Sequence, residues 1–185
     1  SNAKVKIDDW YKTNMTSYTS KLEDSGFCND RTYYNFNTSG WSKDYSNYGK
    51  TLNFGSGQRL DNKKLSLVCP RQLDKFSVSK DNGNGALTYP AGMITAEEIA
   101  YAGGVFNIAN TSYYLYNGVY NWSLSPYRFT TFSPNVFTLL GNYHEGRIGA
   151  TSCSIYYYIR PLISLKQGTV LFGGKGTATD PFIVK

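Results

Sequence analysis

The stretch YNWSLSPYRF, Tyr120 to Phe129, decides how this chain is read. Trp122 sits inside a run with the look of a β-strand. The run is expected to stop at Ser125-Pro126, because proline brings no N–H to a ladder. Tyr127 and Arg128 then fall on a loop. Further on the chain reads SIYYYIRPLISL, Ser154 to Leu165. Here Ile155, Tyr157 and Ile159 alternate with Tyr156, Tyr158 and Leu162, so bulk falls on both faces, as in a central strand. Pro161 removes one ladder donor and predicts a bulge or a change of partner at that point. Trp122 and Arg160 read as parts of a core rather than as a site.

Working outward, the segments SYYLY, VYNWSLS, NVFTLL and GTVLF all read as short strands separated by Gly, Asn or Pro. GGKGTATDPFIVK is a Gly-rich turn with a short closing strand. It lacks the G-K-[ST] ending of a phosphate loop, and no helix follows to bind an anion. Towards the N-terminus, ITAEEIAYAGG carries the clearest local signal. Thr95 and Glu98 form a capping box, so a helix starts at about Ala96 and stops at Gly103-Gly104. Ile7, Trp10, Tyr11, Met15, Tyr18 and Leu22 recur at helical spacing. Asp8 and Asp9 are expected in that helix's first turn, with a break near Thr16-Ser17 and a stop at Gly26. Between Asn29 and Asp61 the chain is polar and weakly periodic, which predicts long loops with short strands. DKFSVSKDNGNGALTYP reads as strand, turn and second strand. Its Asp81 loop departs from the EF-hand pattern at Gly83, Gly85 and Gly92, so it is a plain turn.

Taken together, residues 1–3 read as an expression scar and 4–185 as one domain. Within it, 4–27 is helical, 28–92 loop-rich, 93–104 a helix and 105–185 a β-rich core. The fold class is α+β: one or two helices on a twisted, mainly antiparallel sheet with long loops. No segment has the run of ~18 apolar residues that a transmembrane helix needs. Any signal peptide or anchor helix is expected upstream of this sequence.

Composition narrows the function classes. Among 185 residues there are 17 Tyr, 10 Phe and 18 Gly, while charged residues make up only 17%. Such a mixture suits strands, turns and wet, hydrogen-bonding surfaces. The formal charge is +6, but the basic residues are scattered and Lys63-Lys64 is the only basic pair. A nucleic-acid partner needs a concentrated basic face and is not expected; an anionic wall polymer is the more natural acidic neighbour. Cys28, Cys69 and Cys153 form no CxxC, and there is one histidine, His144. A Cys/His metal cluster is therefore excluded. The residues leave two thiol states open: a Cys28–Cys69 bridge with Cys153 free, or three reduced, buried thiols.

Several motifs carry a resemblance. IDDWYKTN, GFCNDR, LVCP, GNGALTYPAGMITAEEIAYAGG, TSYYLYNGVYNWSLSP and IRPLISL followed by GKGTATDPFIV occur in this order. As a set they resemble an uncharacterised domain family of exported or membrane-anchored proteins from gut Firmicutes, some of them pilin-like. The resemblance implies an extracellular or cell-surface location, an anchor upstream, and a bridge between Cys28 and Cys69. The second half is also similar, more distantly, to the C-type-lectin-like fold shared with formylglycine-generating enzymes. There a Trp-bearing strand ending near Ser-Pro and a late Arg-Pro strand build a small core sheet. That likeness implies that Trp122 packs in the core, that Arg160 bonds beneath a loop, and that calcium is the one metal such loops would take; no other cofactor is implied.

Three functions follow. The first is a non-enzymatic surface domain that binds a glycan, a wall polymer or a protein, with Trp41, Tyr45, Tyr48, Tyr127 and Arg128 as loop-borne contacts. Planar rings stack on sugar faces, and neighbouring Asn or Asp groups bond the hydroxyls. The second is a structural, pilin-like subunit or assembly domain. The third is an enzyme on the lectin-like scaffold. The cysteine pair or three histidines of such enzymes cannot be assembled here. A Cys153–His144 pair has nothing to place it, and no spacing singles out two carboxylates from Glu97, Glu145, Asp44 and Asp74.

Overall fold

The computed structural model describes residues 1–34, 51–130, 133–177 and 179–184. The chain opens with helix α1 (Asn2–Asn14), capped by the Ser1 side chain, and tightens into a 3-10 turn over Thr16–Lys21. Strands β1 (Leu22–Glu23), β2 (Phe27–Cys28), β3 (Tyr33–Tyr34) and β4 (Thr51–Phe54) precede helix α2 (Gly55–Asp61). Then come β5 (Lys75–Phe76), β6 (Ala91–Met93) and helix α3 (Ala96–Tyr101). The remainder is β7 (Asn121–Thr130), β8 (Pro134–Leu139), β9 (Ile148–Ser152), β10 (Pro161–Leu165), β11 (Leu171–Gly173) and β12 (Ile183–Val184). The class is α+β, with few helices and several antiparallel sheets: five strands ordered β3-β4-β7-β8-β9, three ordered β1-β10-β6, and the pairs β2–β5 and β11–β12.

Two apolar clusters hold these layers. The first joins α2 and α3 to the five-stranded sheet through Leu60, Ala96, Ile99, Tyr113, Phe137, Leu139 and Ile148. Ile99, Phe137 and Ile148 are almost fully buried, and burying such a side chain contributes about 1.5–3 kcal/mol. The second packs α1 on the three-stranded sheet through Ile7, Tyr11, Leu22, Ala91 and Met93, with Trp10, Trp122, Leu124 and Ile163 against it. Trp122 and Leu124 alternate along β7 with Asn121, Ser123 and Ser125. It is the polar residues that are fully enclosed. Ser123 donates to the Phe137 carbonyl at 2.7 Å, and Ser125 accepts from the Ala96 amide at 2.9 Å. Trp122 is only half-buried.

Several sequence expectations need correcting. β7 does not stop at Ser125-Pro126. It absorbs Pro126 as a shift in register against β8 and runs on to Thr130, so Tyr127 and Arg128 are strand residues. Residues 154–160 form no regular strand; Pro161 opens β10, the position a strand grants proline most readily. The change of partner expected at Pro161 is present: Tyr158 bridges Asn121, whereas Pro161 faces Met93. SYYLY is irregular. Asp8 and Asp9 lie mid-helix, because α1 starts at Asn2; Asp8 pairs with Lys4. The segment after Phe76 makes no hairpin, since β5 pairs with β2. The turn beyond it is held instead by Asp24, whose carboxylate accepts the Val78 and Ser79 amides at 2.9 and 2.7 Å. Helix α2 was not legible in GSGQRLD. Its Gly57 lets the Tyr127 ring approach to 3.4 Å of where a Cβ would stand. The capping box of α3 forms as expected, through Thr95 and Glu98.

Candidate functional site

Three segments meet at one end of β7. The residues before β7 supply Tyr116 and Tyr120. The turn between β8 and β9 supplies Asn142, Tyr143 and His144, and the irregular segment after β9 supplies Tyr156, Tyr157 and Tyr158. Main-chain bonds fix their relative positions. Tyr158 donates to the Tyr120 carbonyl and Trp122 to the Tyr158 carbonyl, each at 3.0 Å, while Asn142 donates to Gly118 at 3.1 Å. The close approach at Gly141 also requires glycine, because an added Cβ would stand 2.8 Å from the Tyr120 ring.

The outcome is a ladder of four rings. Trp122 and Tyr157 lie 5.1 Å apart, Tyr157 and Tyr120 stack at 4.9 Å and 29°, and His144 meets Tyr120 edge-on at 5.8 Å and 86°. Polar atoms line its rim. The Tyr120 hydroxyl and His144 Nδ1 are 2.9 Å apart, and Tyr116 donates to Asn142 Oδ1 at 2.6 Å. Arg147 Nε donates to the His144 carbonyl at 3.1 Å. The crowding removes water from the Tyr120 hydroxyl and raises its pKa, reinforced by Tyr157 and Tyr143 and offset in part by Arg147. Tyr120 is thus a neutral donor and acceptor across the physiological range. Around the ladder, Tyr143 and Tyr156 are 92% and 97% exposed, and Tyr158 is 68% exposed. Free aromatic faces beside oriented hydroxyl, amide and imidazole groups suit a flat, hydroxylated ligand.

Of the loop contacts expected from sequence, Trp41, Tyr45 and Tyr48 lie outside the described residues. Tyr127 is corrected from a loop contact to a packed strand residue, with its ring 4.9 Å from Phe137 and 5.9 Å from Phe106. Arg128 lies over the Tyr127 ring at 5.3 Å, and its Nε is buried without a hydrogen-bond partner among the described residues. Arg160 donates to the Leu115 carbonyl at 2.9 Å, beneath the loop that carries Tyr116. Tyr116, Tyr120, Asn142 and Tyr157 were not singled out by sequence as ligand contacts, and His144 was weighed only as the partner of Cys153. The density of Tyr in SYYLYN, GVYNW, GNYH and IYYYI was the available signal.

A second polar constellation sits on the other side of β7. Arg59 donates from Nε and Nη2 to Glu97 Oε1 at 3.0 and 2.6 Å, and from Nη2 to Asp30 Oδ2 at 2.7 Å. Burial alone would lower the Arg59 pKa, but its bonds and attraction to Asp30 and Glu97 raise it, so it stays charged. Beside it lies a cavity of about 70 Å³ lined by Ser56, Ser66, Thr95, Glu98 and Ser125 among others. Every acid here is already engaged: Glu98 caps α3, while Glu97 and Asp30 hold Arg59. Asp74 is fully buried, 2.7 Å from Arg31 Nε, with Arg71 on its other oxygen at 3.2 Å. Cys28 and Cys69 form a disulfide, with Cα atoms 5.5 Å apart, and Cys153 is free. Although Cys153 is exposed as a residue, desolvation at its sulfur raises the thiol pKa. It stands past β9, whereas His144 precedes β9 and has its Nδ1 2.9 Å from the Tyr120 hydroxyl.

Among the described residues, no group of three or more His, Cys, Asp and Glu comes together to hold a metal ion, and no helix is long and apolar enough to cross a membrane. Neither protein-family models, nor curated sequences, nor solved structures give any match to this chain.

Proposed function

We propose that this is a non-enzymatic, exported cell-surface domain that binds carbohydrate, either a glycan or a wall polymer, on the Trp122–Tyr157–Tyr120–His144 face. The ladder carries the reading. It joins three chain segments at a surface where stacked rings, free Tyr faces and hydrogen-bonding groups lie side by side. Apolar rings alone would suit a protein partner equally. The oriented Tyr120, Asn142 and His144 groups at the rim favour a hydroxyl-rich one. A C-type-lectin-like fold is part of the proposal, supported by the main-chain bonds that dock the segment before Arg160-Pro161 onto the Trp122 strand. Export is supported by the disulfide, since such bridges persist in oxidising compartments.

The test is a glycan and wall-polymer array, followed by titration of any hit. Tyr143→Ala and Tyr156→Ala remove two exposed rings without touching the core, and each should weaken binding about tenfold, the scale of one stacking contact. Trp41→Ala and Tyr127→Ala serve as comparisons. Binding lost in Trp41→Ala and kept in both Tyr variants would move the site away from the ladder.

A further inference from the structure

The turn that carries His144 also carries a cation. The His144 carbonyl accepts the Arg147 amide at 3.2 Å and Arg147 Nε at 3.1 Å, while the Arg147 carbonyl accepts the Leu140 amide at 3.0 Å. Gly146 closes this turn at φ +72°, and a Cβ there would stand 2.7 Å from the Tyr116 ring. The backbone and the Nε of Arg147 are thus both fixed beside the ladder. Its two Nη groups take no part in this. They make no hydrogen bond among the described residues, and they reach solvent. The charge of Arg147 acts on the Tyr120 hydroxyl, whereas no carboxylate among the described residues does. Glu145, the acid nearest in the chain, is exposed and forms no ion pair among the described residues. Arg160 adds a second positive charge beneath the Tyr116 loop, at the Leu115 carbonyl.

We propose that the ladder face takes an acidic saccharide, and that Arg147 selects the carboxylate or phosphate group on it. The inference rests on the carbohydrate reading above and narrows it. A neutral sugar needs flat rings and hydroxyl partners, which Tyr143, Tyr156, Tyr120 and Asn142 supply. It would leave a fixed guanidinium beside the rings without a task. With Nε committed to the His144 carbonyl, the Nη pair still offers two side-by-side donors. Carboxylate and phosphate oxygens accept such a pair in bidentate fashion, and these charge-assisted bonds are roughly twice as strong as neutral ones. A lysine could offer charge there but not the planar fork. The net charge of +6 draws an anionic ligand towards the chain before contact.

The test is an array on which neutral, carboxylated and phosphorylated saccharides are matched in size, with titration of the hits by the wild type, Arg147→Gln and Arg147→Lys. Acidic saccharides should bind the wild type at least tenfold more tightly than their neutral counterparts. The carboxylated and phosphorylated arms tell which anion is taken. Arg147→Gln should abolish the preference, and Arg147→Lys should keep part of it. Raising the salt concentration should weaken acidic binding to the wild type and leave the Gln variant nearly unaffected. The ratio of acidic to neutral affinity guards against a merely structural effect, because a disturbed His144 turn would lower both. Equal binding of neutral and acidic saccharides overturns the proposal, as does a preference that survives Arg147→Gln; either result leaves the carbohydrate reading standing. A wild type that binds no saccharide on the array overturns both.

Discussion

Replacing Arg59 with Met removes the cation that bridges Asp30 and Glu97 while keeping much of the side chain's bulk. Both carboxylates are 5% exposed, and Arg59 reaches each within 2.7 Å. Among the described residues, what remains is Thr32 against Asp30 and Ser125 against Glu97, neither of which neutralises charge. Breaking a buried pair by removing one partner costs about 3–5 kcal/mol, chiefly because the other charge is stranded. In a domain of this size each kcal/mol lowers the Tm by about 2–4 °C, so Arg59→Met should melt about 6–20 °C lower. Thermal melts of both proteins at neutral pH read this directly. Adding Glu97→Gln to Arg59→Met should recover part of the loss, since the two changes share one contact network. A Tm within about 2 °C of the wild type would refute the idea that the cluster clasps α2 and α3 together.

Three further outcomes follow from single contacts. Thiol counting under denaturing, non-reducing conditions should find one free thiol, Cys153. Reduction should cost about 4 kcal/mol by loop-closure entropy for a bridge spanning 41 positions. Trp122→Ala should cost about 2 kcal/mol, less than the ~3–5 kcal/mol of a fully buried Trp, because one edge of the ring meets water; a chemical denaturation curve measures it. Burial raises the Tyr113 pKa to about 12, partly opposed by Arg160. The folded state therefore keeps the proton longer than the unfolded chain, whose Tyr ionises near 10. Stability from this group is complete below pH 10 and falls between 10 and 12. Tyr113→Phe should flatten that alkaline slope and, by losing the 2.7 Å bond to the Gly146 carbonyl, cost about 1 kcal/mol at neutral pH.

Local signals survived the passage from sequence to structure where the chemistry was itself local. The capping box of Thr95 and Glu98 depends on four adjacent residues, and it formed. So did the helical face around Ile7 and Tyr11, whose period is short. What failed was long-range. Pro126 reads as a strand terminator, but a register shift between β7 and β8 accommodates it. GSGQRLD reads as a loop by propensity, but Arg59 and Leu60 anchor it as a helix in tertiary packing. Alternation in SIYYYIRP suggested a two-faced strand. Tyr156 and Tyr158 instead face water, and Tyr157 turns inward to stack on Tyr120 and Trp122. The candidate site was hidden for the same reason. Tyr116, Tyr120, His144 and Tyr157 are scattered in sequence and meet only through bridges at Asn121 and Gly118.

β7 explains why this fold carries a site at all. An ordinary central strand would bury its apolar residues and leave its polar ones wet. Here Ser123 and Ser125 are enclosed, because their small hydroxyls satisfy Phe137, Ala96 and Glu97 in a space where a larger side chain would not fit. The alternation then turns Trp122 and Leu124 to the opposite face, against α1 and the second cluster. Trp122 cannot be wholly covered there, since Tyr157 is the only ring that reaches it from the surface side among the described residues. A large, partly wetted indole is thus a consequence of burying serines on the other face. The Tyr157–Tyr120–His144 ladder continues from it outwards. On this account Ser125→Val should disturb the ladder at a distance. Valine abandons the Ala96 amide and Glu97, β7 has to shift to relieve them, and Trp122 shifts with it. Tryptophan fluorescence and carbohydrate affinity should then change together, whereas a variant with altered stability but unchanged Trp122 environment would show that the two faces of β7 are independent.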